Sequence, residues 1–145
     1  MNMHVTEQVP VMRIGELARE SGLAVETIRY YEKEGLIAAP PRSPSGYRDY
    51  PPLTLHYLNF IRSAKAVGFS LKECRDLLAI FVSRDAHTCA EVKNLSEEKL
   101  TQLERQMEAL QRMHQTLKAI SDACCGGDES AVNCSILNQL EGKPL

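Results

Sequence analysis

The chain has 145 residues, a formal charge of −2 and five cysteines, with 43% hydrophobic and 25% charged residues. That composition supports a folded core and argues against a disordered chain. No apolar run nears the ~18 residues of a membrane span. The N-terminus lacks the apolar stretch of a secretory signal. A cytoplasmic protein without membrane association is therefore expected, its cysteines serving as free thiols or metal ligands rather than disulfides. A net acidic chain looks unsuited to nucleic acid, but the distribution of charge matters more than its sum. Residues 11–82 carry ten basic and eight acidic side chains, whereas residues 83–145 carry seven and ten.

In chain order, Gly15–Glu20 reads as a short helix with Ile14, Leu17 and Ala18 on one face. Ser21-Gly22 stops it. Val25–Lys33 is a second helix with Val25, Ile28 and Tyr31 inward. Two helices joined by a glycine turn form either a helix-turn-helix or a plain helical hairpin, and the pattern leaves both open. The segment from Pro40 to Tyr50 then leaves and returns through prolines, Gly46, Tyr47 and Arg48. It is expected to be a β-hairpin wing. Arg42, Tyr47 and Arg48 suit phosphate contacts, which position a protein on DNA without reading its sequence.

Leu53–Val67 is the third expected helix, ended by Gly68. Ser70-Leu71-Lys72-Glu73 is a capping box that opens a fourth, Leu71–Val82, in which Cys74 is expected only to pack. Glu91–Ser121 contains neither glycine nor proline. Leu100, Leu103, Met107, Leu110, His114, Leu117 and Ser121 recur at spacings of three and four, the seam of a coiled coil. A helix of ~30 residues is ~45 Å long, too long to bury its seam on the head alone, so pairing with a second copy is expected.

The long helix ends at Cys124-Cys125 before Gly126-Gly127, and a short loop leads on to Cys134, so the three cysteines converge on one small loop. Asn133 is the expected cap of a last helix, which would place Cys134 in its first turn and favour the thiolate. Soft thiolates select zinc, cadmium, lead, mercury or monovalent copper. Three thiolates leave a tetrahedral zinc one ligand short. Cys89 opens the long helix and is too far along it to join the loop of its own chain. In an antiparallel pair it would reach the loop of the other chain.

Taken together, these residues resemble the MerR family of transcription regulators. Arg13–Ala18, Thr27–Lys33 and Gly46–Tyr50 carry the match in the head, extended by Phe60-Ile61-Arg62 and Gly68–Leu71. His87-Thr88-Cys89, Asp122–Cys125 and Val132–Leu137 resemble the zinc-responsive branch. The similarity spans roughly residues 12–140. It implies a mainly α fold: a winged helix-turn-helix head (12–82), a long dimerisation helix forming an antiparallel coiled coil (83–121), and a short metal-binding loop and helix (122–145). It implies a homodimer on promoter double-stranded DNA. The metal-free form would hold the promoter unproductive, and the metal-bound form would distort it so that RNA polymerase engages.

Carried over by position, Arg29 and Tyr31 match DNA-contacting residues of the second helix, and Arg42, Tyr47 and Arg48 match wing contacts. One Zn(II) would take Cys124 and Cys134, the other Cys125, a loop histidine and Cys89 of the partner subunit. Glu129 stands where the branch has that histidine, beside Asp128. A carboxylate can ligate zinc, but the change leaves Cd(II) or Pb(II) open as inducer. Pro51-Pro52 replaces the usual polar cap of the third helix, which a proline at the first turn tolerates. The readings weighed against this one are a thiol redox protein, a metal store without a DNA role, and a regulator of the same fold answering an oxidant or organic ligand. No catalytic constellation is present, so no enzymatic activity is expected.

Overall fold

The computed structural model describes residues 11–142. The N-terminal residues read for a signal and the last three residues of the expected third domain lie outside them. Among the described residues there are six α-helices: α1 Ile14–Ser21, α2 Val25–Lys33, α3 Pro52–Ala66, α4 Leu71–Val82, α5 Cys89–Asp122 and α6 Ser135–Leu140. Short 3-10 turns lie at Arg84–Ala86 and Ala131–Asn133.

The chain separates into two compact units, divided between Lys93 and Asn94. The division falls within α5, so the opening turn of that helix belongs with the head, beyond the expected boundary at 82.

The head is built as the apolar spacing dictates. Leu17 of α1, Ile28 of α2, and Leu58 and Ile61 of α3 are fully buried, joined by Cys74 and Leu78 of α4. Each large aliphatic side chain buried in this way contributes about 2 kcal/mol. Cys74 is packing, as expected. Gly22 ends α1 at φ 71°, donating to the Ala18 carbonyl at 3.0 Å. A Cβ at Gly22 would come within 2.9 Å of Arg62 Nη1, which itself donates to the Ser21 carbonyl at 2.5 Å. The tight turn between α1 and α2 is thereby held from α3.

The caps follow local chemistry. Pro51 caps α3 and Pro52 opens it, where a missing N–H costs nothing. At α4, Ser70 Oγ accepts from Glu73 N–H at 3.2 Å and Glu73 Oε2 accepts from Ser70 N–H at 2.7 Å. The expected capping box is present.

Two expectations are corrected. The wing is not a regular hairpin: it is held by isolated antiparallel bridges, Arg42 to Arg48 and Met12 to Tyr50. Pro40, Pro41 and Pro44 lack the N–H groups that a longer ladder needs. The cap of α6 is Cys134 itself, with Asn133 drawn into the preceding 3-10 turn.

In the second unit the seam is uncovered. Leu100, Met107, Leu110 and Leu117 are exposed, and no residue of α5 is buried. Ala109, Met113, Thr116, Leu117 and Ile120 line an apolar groove of about 440 Å³, with Leu140 of α6 at its side.

Candidate nucleic-acid interface and metal loop

The helix-turn-helix and the wing enclose an open cleft of about 650 Å³. Arg13, Arg29, Lys33, Arg42 and Arg48 line it, and Glu32 is its only acid. Arg29 and Lys33 are four apart, so both project from one face of α2. Both are exposed, and among the described residues neither has a carboxylate partner. Arg13 lies over the Tyr47 ring, 4.4 Å from its centroid, which pins the exposed Tyr47 beside the start of α1. A turn closed by Gly46 N–H on the Ser43 carbonyl (2.8 Å) and Ser43 N–H on the Tyr47 carbonyl (2.6 Å) presents Arg42. An exposed cationic lining of this kind suits a phosphate backbone.

Of the expected DNA-contacting residues, Arg29, Arg42, Tyr47 and Arg48 stand together in this cleft. Tyr31 does not. It is only 5% exposed and packs in the core, and burial pushes its phenol pKa up. The exposed ring of α2 is Tyr30. The apolar spacing that turned Tyr31 inward outweighs its positional match to a DNA contact. Arg13, Lys33 and Glu32 also line the cleft, though no motif marks them as DNA contacts. The four-residue interval from Arg29 could have pointed to Lys33. Nothing local marks Glu32, whose partners lie 16 and 18 positions away.

The cysteine loop starts where α5 ends. Cys134 caps α6, and the neighbouring Leu137 and Ile136 amides, then the Cys124 side chain, lower its pKa. Donation at a helix N-terminus stabilises the thiolate. Cys125 turns elsewhere: its thiol lies 4.0 Å from Glu129 Oε2. Gly127 closes this second pair, since a Cβ there would touch Cys125 Sγ and the Glu129 carboxyl at 3.7 Å. The expected convergence of three cysteines is therefore two pairs, Cys124 with Cys134 and Cys125 with Glu129.

Among the described residues, no three His, Cys, Asp or Glu side chains stand close enough to hold a metal together. The donor types fit a soft metal, but each pair needs donors from elsewhere to complete a tetrahedron. Ser135 Oγ, in the first turn of α6 next to Cys134, is buried without a hydrogen-bond partner. Cys89 is exposed at the opening of α5. Just before it, His87 Nδ1 is 2.7 Å from Glu91 Oε2, and Thr88 Oγ1 accepts from Glu91 N–H at 3.3 Å.

Comparison with known proteins places this architecture. The model of the MerR HTH family regulatory protein matches residues 12–79, and the model described as MerR, DNA binding matches residues 55–120. The transcriptional regulator ZntR of Escherichia coli (strain K12) is 43% identical over 129 residues, covering 89% of this chain and 92% of that protein. The regulator PbrR691 of Ralstonia metallidurans CH34, solved in complex with lead(II), superposes with a TM-score of 0.77 at 35% identity, covering 89% of this chain and 98% of that one. MerR of Bacillus megaterium MB1, solved with mercury(II), gives a TM-score of 0.68 at 33% identity over 90% of this chain and 99% of that one. With its helix-turn-helix, its cationic cleft and its long helix, the chain belongs to the MerR family of DNA-binding transcription regulators and is not an enzyme.

Proposed function

We propose that this regulator senses a soft divalent metal and switches a promoter for metal export or resistance. The observation that carries the reading is the Cys124–Cys134 pair, with a thiolate-favouring Cys134 at the cap of α6. Zn(II) is the assigned inducer, with Cd(II) or Pb(II) as the alternative. Lead(II) and mercury(II) in the two structural neighbours support a thiolate-held metal here. The ligands would be Cys124, Cys134, Cys125 and Glu129 of one chain with Cys89 of the partner subunit. When bound, the metal would supply a cross-link among thiolates that no hydrogen bond matches in strength. The chain's own part is to hold Cys134 ready through the Ile136 and Leu137 amides and to keep Glu129 beside Cys125.

The exposed seam supports a homodimer. Leu100, Leu103, Met107, Leu110 and Leu117 would pack antiparallel against a second copy, which brings the start of one α5 to the end of the other. Arg29, Arg42 and Tyr47 would hold promoter DNA in the cleft. Metal binding would shift a two-state equilibrium of the dimer, and the resulting strain would bend and untwist the duplex for RNA polymerase. The site of action is the cytoplasm, where thiols stay reduced.

The test is promoter binding and run-off transcription across a panel of metals under reducing conditions. Activation by Zn(II), Cd(II) or Pb(II) with little change in DNA affinity supports the reading. A second reading, a thiol redox sensor, draws on the same proximity of Cys124 and Cys134. Activation by an oxidant and indifference to metals would favour it.

A further inference from the structure

Glu32 is the one acid in the cationic cleft, and its side chain is only 6% exposed. Its Oε2 accepts from Arg48 Nη1 at 2.5 Å, and its Oε1 accepts from the Tyr50 hydroxyl. Both donors stand on the strand of chain that returns from the wing. The Tyr50 side chain is fully buried, and its backbone exchanges hydrogen bonds with Met12 at 2.7 and 2.8 Å, just before α1. One carboxylate thus ties α2 to the wing, and the wing's return ties both to the entry of α1. Burial, then the bond to Glu32, pushes the Tyr50 phenol pKa up, so the hydroxyl remains a donor.

Arg48 differs from the other cations of the cleft in one respect. Its charge is matched at contact distance by a largely desolvated carboxylate. Arg29, Lys33 and Arg42 have no such partner among the described residues. An unmatched cation that meets a phosphate releases a counterion, whereas a cation already neutralised by the protein adds little to that release.

We propose that Glu32 is a positioning residue that sets the wing against the recognition helix through Arg48 and Tyr50, and that Arg48 serves as a strut rather than as a phosphate-neutralising cation. The proposal rests on reading the cleft as the DNA-facing surface. It changes the role carried over for Arg48 by resemblance. Wing contacts would fall to Arg42 and Tyr47, whose spacing from α2 the strut maintains. Removing either end of the strut should weaken binding by misplacing the wing, at the same cost whichever end is removed.

The experiment measures the affinity of the full-length protein against salt concentration. The probe is a duplex that the wild-type protein selects from a random-sequence pool. Arg29→Ala and Arg42→Ala should each reduce the salt slope by about 0.9, the value of one lost phosphate contact. Arg48→Ala and Glu32→Gln should each lower affinity about tenfold with the slope retained, and the double variant should be no weaker than either single one, as for a coupled pair. Tyr50→Phe removes only the hydroxyl and leaves the buried ring, so it reads the strut with the core intact. It should weaken binding with the same retained slope. A slope reduced by about one in Arg48→Ala, or additive losses in the double variant, overturns the strut. Unchanged affinity and slope in both Arg29→Ala and Arg42→Ala overturn the DNA-facing cleft, and the strut with it.

Discussion

Cys124 and Cys134 face each other across the loop that joins α5 to α6, and the Cys124 side chain helps to lower the pKa of Cys134. The Leu137 and Ile136 amides at the start of α6 are the larger causes of that lowering.

In the metal-free protein, Cys134 should react with iodoacetamide at pH values where an unperturbed thiol, with a pKa of about 8.5, is largely protonated. The sign follows from the depressed folded pKa. The thiolate's contribution to stability is full above the unfolded thiol pKa and is lost as pH falls through the folded value. Mass-mapped alkylation rates across pH check this. A Cys134 profile that coincides with that of a free model thiol contradicts the amide contacts.

Cys124→Ser and Cys134→Ser should each abolish metal-induced transcription while DNA binding persists, because the cysteine loop and the cationic cleft share no residue. Parallel binding and run-off assays read the two properties separately. A full zinc response in either variant refutes the ligand assignment.

Glu129 is held beside Cys125 at 4.0 Å. Glu129→Gln removes a charged oxygen donor and should lower Zn(II) affinity by about tenfold or more, in line with the loss of a ligating or supporting group. Competition with a chromophoric chelator measures it. An unchanged affinity would show that Glu129 stands outside the coordination sphere.

The neighbours Tyr30 and Tyr31 should separate cleanly. Tyr31→Ala empties a core site and should cost about 3 kcal/mol of stability. Tyr30→Ala, at a half-exposed ring, should change stability by about 0.5 kcal/mol or less. Denaturant unfolding of both variants decides it, and equal losses would place both rings in the core.

Gly22→Ala should destabilise the head by about 1–2 kcal/mol, since alanine is strained at φ 71° and its Cβ would crowd Arg62. A thermal melt should show the loss, which Arg62→Ala in the same background should partly relieve by removing the crowded guanidinium. No relief would assign the whole cost to the backbone.

Periodicity and local signals made most of the head legible. The apolar face of α1, the run Ile28–Tyr31 and the capping box at Ser70 each rest on contacts within a few residues. The cap of α6 was misplaced by one position, from Asn133 to Cys134, because a 3-10 turn took up Asn133. The wing is less regular than its turn signals imply, since the prolines that announce a turn also deny it a ladder. For Tyr31, helical spacing gives the inward side on which the structure places it.

The sequence by itself determined the helices, their order, the basic head, the acidic second half and the chemistry of the cysteine loop. These depend on spacing, composition and side-chain type. Only the tertiary structure decided which groups meet. It divided the loop into Cys124–Cys134 and Cys125–Glu129, and brought Glu32 to Arg48 and Tyr50. The reason is distance along the chain: a helical face repeats every few residues and is visible locally, whereas a contact across 16 positions exists only once α2 and the wing have been packed together.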